Sequence, residues 1–357
     1  MKLKLFIFIL VSVFCIQGYP QEDPLVKKGA GVFKLRSKDD MAKDEAKLNN
    51  KGKAAFDKAK NDFKNVKDAK FDIAPNEIMN YDPEELLGIP ESEKPDLNFG
   101  QQQNNENKKN EAEIKGNLKK DSKEDVSQIN FTEAVSVSVP SGCVWNTNIL
   151  TPVKNQAGCG SCWDFAACAA FEHTYAKFWG VKLDLSEQDV LACGKTCANV
   201  DCGSCKGGWS DRAFDFMKCN GVASDASYPY NIPQGNHCIT KPKFKWANTW
   251  GQLYPGRFPT VAEVKYYLNT FGALVTYMKA GLSTFYGYGG GVYNGYASNS
   301  SNSIDHAVVI VGYCDNLNAW IIKNSWGTGW GPYGGYAYVG YNACNIGKYV
   351  YWVYPKY

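Results

Sequence analysis

The sequence predicts an α+β protein in two lobes, preceded by a separate charged segment. Three observations carry this reading. Composition breaks near residue 135: residues 19–134 hold 21 Lys+Arg and 24 Asp+Glu in 116 positions, whereas residues 135–357 hold 16 and 12 in 223. All ten Trp lie at or after Trp145, and every Cys except Cys15 lies at or after Cys143. A dense aromatic core therefore belongs to the second part alone. Within that part, helical periodicity comes early and short strand-like runs dominate from about Trp246 onward, the order of an α+β chain rather than an alternating one. The net charge of +3 over 357 residues is too small to point to nucleic acid.

Taken in order, residues 1–18 read as a signal peptide. Lys2 and Lys4 form a basic start, Leu5 to Ile16 a short apolar run, and Gly18 a small residue at the cleavage point. The run is too short for a comfortable membrane span, so export rather than anchoring is expected. Residues 19–134 follow as a separate segment. Spaced Phe56, Phe63, Val66 and Phe71 among Ala, Lys and Asp predict a helix over 38–72. Residues 94–128 are rich in Asn, Gln, Lys and Glu and predict a disordered linker. In the second part, the run from Cys162 to Trp179, ending at Gly180, predicts a buried helix with a glycine stop. Ser186 reads as an N-cap with Asp189 closing a capping box. "HAVVIVGY" and "NAWIIKNSW" read as buried strands.

The chemistry centres on "PVKNQAGCGSCWDF", residues 152–165. Cys162 falls where a loop enters the buried helix. The unpaired N–H groups of a helix start favour thiolate over thiol, and the thiolate is the form that attacks a carbonyl. Only three histidines exist, His173, His237 and His306. His173 lies 11 residues along the same helix as Cys162, about 16 Å away at 1.5 Å per residue. His237 stands in a polar loop. His306 is left as the base.

"CGSCW" with "PVKNQ" before it, "CKGG" at 205–208, "DHAVVIVGY" at 305–313 and "IIKNSWGTGWGPYGGY" at 321–336 follow one another as in the papain-like cysteine proteases. The chain resembles that family over about residues 140–357. The resemblance implies a papain-like fold, with a helical left lobe, a β-barrel-like right lobe and the active-site cleft between them. It implies a cysteine endopeptidase made as a zymogen: signal peptide 1–18, propeptide 19–134 with its linker at about 94–128, and peptidase domain 135–357. Residue by residue, Cys162 resembles the nucleophile, His306 the general base, Asn324 the residue that orients the imidazole, and Gln156 the side chain of the oxyanion hole. Trp326 resembles the indole that shields the His–Asn pair. Gly207 and Gly208 resemble the strand that binds substrate backbone, with Trp209, Ser210, Tyr277, Ile304, Asp305 and Tyr349 around the pocket. An apolar pocket preference is expected.

Two departures stand out. Asp164 replaces the family's alanine; at two residues along the helix it should point away from Cys162. Lys206 replaces an asparagine in "CKGG". Setting aside Cys15 and Cys162, eleven cysteines remain. The family pattern implies Cys159–Cys205 and Cys193–Cys238. Cys314–Cys344, Cys197–Cys202 and Cys168–Cys219 are the further candidates, with Cys143 left free. The spacing of Cys193, Cys197, Cys202 and Cys205 also resembles a zinc site, but export favours disulfides over metal, and no metal or cofactor is expected. In "FDIAPNEI", residues 71–78, the precursor resembles the family's inhibitory segment.

A catalytically dead relative is disfavoured by the intact Cys162, His306, Asn324 and Gln156. A dipeptide-removing carboxypeptidase would carry a paired histidine, which this sequence lacks; an aminopeptidase form stays open. The expected partners are protein and peptide substrates, the chain's own propeptide and cystatin-like inhibitors, with no nucleic acid, no membrane and a monomeric state. The expected location is the secretory pathway, ending in a lysosome- or vacuole-like compartment or outside the cell. Asn130 and Asn299 sit in N-x-[ST] sequons.

Overall fold

The computed structural model describes residues 35–90, 94–121, 139–232, 237–299 and 303–356. The expected signal peptide, the sequon at Asn130 and the end of the expected linker lie outside these residues.

The N-terminal segment is a chain of short helices. It runs through α1 (Lys38–Lys43), α2 (Asn50–Phe63), strand β1 (Phe71–Ile73), α3 (Pro83–Leu86), α4 (Leu97–Lys109) and α5 (Glu111–Asp121). Ser37 and Asn49 cap α1 and α2 by accepting the N–H groups of Asp40 and Gly52. The single helix expected over 38–72 is therefore broken at Leu48 and stops at Phe63. Phe71 turns inward instead, against Phe63 and Tyr293.

The expectation of a disordered linker at 94–128 is overturned for residues 97–121, which form α4 and α5. Asp96 caps α4 through the N–H groups of Asn98 and Phe99. The polar residues that looked unable to pack are buried as hydrogen-bonding amides: Gln103 is 5% and Asn107 1% exposed.

The second part opens with β2 (Cys143–Trp145), then α6 (Cys162–Trp179), α7 (Glu187–Cys193), the small ribbon β3 (Gly203–Ser204) and β4 (Gly207–Gly208), and α8 (Ser210–Cys219). α6 is buried almost all round, as its Ala- and aromatic-rich sequence dictates. It ends at Gly180, whose φ of 72° is left-handed. Ser186 caps α7 by accepting from the Asp189 N–H. Asp189 does not complete the expected capping box: its carboxylate takes the Ala223 N–H and Lys243 instead.

The remainder supplies β5 (Ala247–Gln252), α9 (Val261–Phe271), β6 (Leu274–Met278), α10 (Ser283–Tyr286), β7 (Tyr288–Tyr293), β8 (His306–Cys314), β9 (Ala319–Lys323), β10 (Tyr336–Gly340) and β11 (Val350–Pro355). The sheet order is β1-β7-β10-β9-β8-β6-β11-β5, with β2 also on β8. Pairing is antiparallel except between β10 and β7. β8 is buried along its whole length, which explains its continuous apolar run.

Among the described residues four disulfides are present. Cys159–Cys205 and Cys193–Cys238 match the family pattern. Cys314 bonds to Cys143, not Cys344, because β2 and β8 place Cys143 directly opposite Cys314. Cys143 is therefore not the free thiol. Cys197 bonds to Cys219, which removes both the Cys197–Cys202 and the Cys168–Cys219 pairings. The Asp215 carboxylate accepts the Cys197 N–H at 2.7 Å, which holds Cys197 against the end of α8. Cys162, Cys168, Cys202 and Cys344 are buried thiols. Three members of the zinc-like run, Cys193, Cys197 and Cys205, are thus spent in disulfides. Asn299 is exposed.

Candidate active site

Cys162 is the first residue of α6, set there by the tight turn Cys159–Ser161 and by the bond from Cys159 to Cys205. Its Sγ accepts the N–H of Ala307 at 3.3 Å. That contact brings the helix start against the beginning of β8, where His306 sits. His306 Nε2 lies 2.8 Å from Asn324 Oδ1. The same oxygen accepts the Ser325 N–H at 2.8 Å. A backbone N–H can only donate, so the atom is fixed as oxygen, and Nε2 must carry the proton. Nδ1 is then the basic nitrogen. The Trp326 ring lies 4.6 Å from the imidazole, tilted by 33°. His173 is elsewhere, accepting the Thr151 N–H, and His237 is exposed.

Gln156 is held on both sides. Its Oε1 accepts from Ser325 Oγ at 2.6 Å, and its N–H reaches the Ser325 carbonyl at 2.8 Å. Its Nε2 donates to Cys159 O at 2.8 Å and to Leu86 O at 3.1 Å. Ser325 thus ties Asn324 and Gln156 together. Sequence reasoning did not single it out, although it stands between Asn324 and Trp326 in "KNSW".

Leu86 belongs to a run the sequence reading also passed over. Residues 86–90, Leu-Leu-Gly-Ile-Pro, lie across the site. The Gly88 carbonyl accepts the Gly208 N–H at 3.0 Å, and the Ile89 N–H reaches the Asp305 carbonyl at 3.1 Å. A Cβ on Gly88 would come within 2.8 Å of Cys162 Sγ and 2.1 Å of Gly160 O. Gly207 has no side chain to meet Gly88 O and Pro90, which lie 3.1 and 3.2 Å from where its Cβ would be.

The other expected pocket residues are buried. Trp209 packs edge-on to Tyr277 at 5.6 Å, and the Ser210 N–H donates to the Tyr277 hydroxyl at 3.0 Å. Tyr349 packs on Phe258 at 5.6 Å, and Ile304 is buried. The Asp305 carboxylate is committed to the Ala280 and Gly281 N–H groups and to Lys279, so only its carbonyl faces the bound segment.

With residues 86–90 in place, burial opposes the expected thiolate. It pushes the Cys162 thiol up to about 12, with Asp305 adding to the rise and the Ala307, Gly88 and Trp163 N–H groups opposing it. Burial also lowers His306 to about 4, against the Asn324 hydrogen bond and the Leu86 carbonyl. The covered pair is a neutral thiol and a neutral imidazole. Burial outweighs the helix start, which alone would favour thiolate. Asp164 is likewise wholly buried. Burial first, then Glu187, lifts its carboxyl well above the usual range, and the Cys168 thiol donates to it at 3.6 Å.

The model of the papain family cysteine proteases matches residues 139–354. A cysteine protease of Blomia tropicalis is 34% identical over 229 residues, 60% of this chain and 65% of that protein. Cathepsin L2 of Homo sapiens is 35% identical over 214 residues, 57% of this chain and 62% of that protein. The chain thus spans 62–65% of the length of these curated relatives. Digestive procathepsin L2 proteinase from the larval midgut of Tenebrio molitor shares the fold, with a TM-score of 0.63 at 25% identity over 86% of this chain and 94% of that one.

Proposed function

We propose that this chain, which belongs to the papain family of cysteine proteases, is the precursor of an endopeptidase in which Cys162 is the nucleophile. One observation carries the reading: the thiol, the oriented imidazole and a backbone-binding strand converge on a single stretch of chain, residues 86–90.

With that segment gone and water admitted, His306 Nδ1 takes the proton of Cys162, and the thiolate adds to the scissile carbonyl carbon. Gln156 Nε2, freed of the Leu86 carbonyl, and the Cys162 N–H would hold the oxyanion. The imidazolium then protonates the leaving amine as the C–N bond breaks, which leaves a thioester. Water, deprotonated by the same imidazole, hydrolyses the thioester and returns the thiol. Asn324 keeps Nε2 protonated, so that Nδ1 stays the proton carrier. Substrate backbone would pair with Gly208 and the Asp305 carbonyl, as Gly88 and Ile89 do. Buried Leu86 and Ile89 favour apolar substrate side chains.

Residues 19–134 are read as the propeptide and 135–357 as the peptidase domain. Protein and peptide substrates, and inhibitors of the cystatin kind, would compete for the cleft that residues 86–90 now fill; a monomer suffices for the reaction. Four disulfides fit an oxidising compartment, so a lysosome-like or extracellular destination is favoured. Among the described residues no helix is long and apolar enough to cross a membrane.

The test is cleavage of a peptide library by the matured protein. Internal cleavage after apolar-rich stretches is expected, and its loss in Cys162→Ala. Removal of residues only from one end of each peptide would refute the endopeptidase assignment.

A further inference from the structure

The sheet ends at β5. β11 covers one edge of it, and the other edge turns the backbone groups of Trp250 and Gln252 outward. An open edge of this kind is normally covered or blunted. Here it is covered by a helix whose side chains imitate a strand. Asn104 Nδ2 donates to Gln252 O at 2.7 Å, while its Oδ1 accepts the Gln252 N–H at 3.2 Å. Asn107 Nδ2 donates to Trp250 O at 2.7 Å. Gln103 braces Asn107 at 2.8 Å and reaches Thr249 Oγ1 at 3.2 Å.

Both surfaces are shaped for the contact. A Cβ on Gly100 would lie 2.0 Å from Gln252 Oε1 and 3.0 Å from Gln252 Cβ, and one on Gly251 would lie 2.8 Å from Asn104 Oδ1. Phe99 sits on the Trp250 ring at 5.1 Å. Lys218, from α8, donates to Gln103 at 2.9 Å and pairs with Glu106 at 3.1 Å. Every partner of α4 named here lies on β5 or α8; the partners of residues 86–90 include Gln156, Gly208, Asp305, Cys162 and His306. The two contacts are separate sites joined by a few residues of chain.

We propose that α4 is a second anchor of the propeptide, seated outside the cleft, and that its grip on the β5 edge controls when the cleft opens. The proposal rests on the reading of Cys162 as a protease nucleophile. A short segment in a peptide-binding cleft leaves and returns readily. Tethered to an anchored helix, it is held at high effective concentration and rebinds before a substrate can enter. A cut between residues 121 and 139 would leave α4 in place and the cleft closed. Activation therefore needs α4 to come off its edge.

The experiment uses the uncut full-length chain at neutral pH and follows the rate of Cys162 alkylation by iodoacetamide, read by mass spectrometry, with Cys168 and Cys202 as buried internal controls. Two variants are compared with wild type: Asn104→Ala/Asn107→Ala, which removes the amide contacts, and Gly100→Leu, a better helix former that cannot approach Gln252. The expected result is labelling of Cys162 at least about tenfold faster in both, since several buried hydrogen bonds are lost, with the control thiols unchanged. Wild-type rates in both variants, while wild-type protein freed of residues 1–138 labels rapidly, would overturn the anchor and leave the protease reading intact. Failure of the freed wild-type protein to label would overturn the protease reading and the anchor with it.

Discussion

Replacing Gly88 by valine should open the cleft of the uncut chain. A Cβ at this position would lie 2.1 Å from Gly160 O and 2.8 Å from Cys162 Sγ. Gly160 cannot retreat: its N–H is bonded to the Cys205 carbonyl at 2.9 Å, and the neighbouring Cys159 is disulfide-linked to Cys205. The segment must rise instead, which breaks the Gly208-to-Gly88 and Ile89-to-Asp305 hydrogen bonds. At about 1 kcal/mol each, the loss is about 2 kcal/mol, or roughly a 30-fold shift toward the open state. The assay is the initial rate of peptide hydrolysis by the uncut precursor at pH 7, with the chain shown intact by mass. A Gly88→Val precursor as inactive as wild type would refute the idea that contact with Gly160 and Cys162 holds the cleft shut.

Three further outcomes are expected. Because His306 is lowered to about 4 in the covered state from an ordinary value of about 6.5, uncovering lets it bind a proton; coverage is fully favourable above about pH 6.5 and weakens by up to about 3 kcal/mol as pH falls toward 4. Release measured against pH should rise across that window. Carboxylates such as Asp62, held below the usual range by Lys58 and Ser283, should add their effect only at lower pH, so a midpoint below 4 would point to them instead. His306→Ala should nearly abolish hydrolysis by the matured protein while Asn324→Ala reduces it less, since the asparagine only orients the base; kcat for the two variants checks this. Gln156→Ala should lower kcat by roughly a hundredfold or more, and Ser325→Ala by about tenfold, the worth of one buried hydrogen bond, with KM little changed in either.

Much of the second part was legible. α6 announced itself by its Ala and aromatic run and its Gly180 stop, and β8 and β9 by unbroken apolar stretches. Cys162, His306, Asn324 and Gln156 could be named because four motifs stood in family order. What escaped depends on partners far away in sequence. Leu86–Pro90 carries no chemically distinctive side chain; its meaning comes from Gly208 and Asp305, more than a hundred residues on. α4 departs from the expected disorder because low hydrophobicity does not mean nothing to bury: Asn104 and Asn107 set their amides against an open strand edge. Cys143–Cys314 follows from strand register, which spacing does not reveal. The neutral thiol of the covered state has the same kind of origin: Gly88, 74 positions earlier, lies against Cys162.

The most direct measurement is titration of the matured protein with a peptide-like alkylating epoxide, with residual hydrolysis and the mass of each cysteine-containing peptide followed together. One adduct on Cys162, accumulating in step with loss of activity and absent from the uncut precursor at neutral pH, is the predicted result. Hydrolysis that persists with Cys162 fully alkylated, or in the Cys162→Ala protein, would contradict the assignment of Cys162 as the nucleophile.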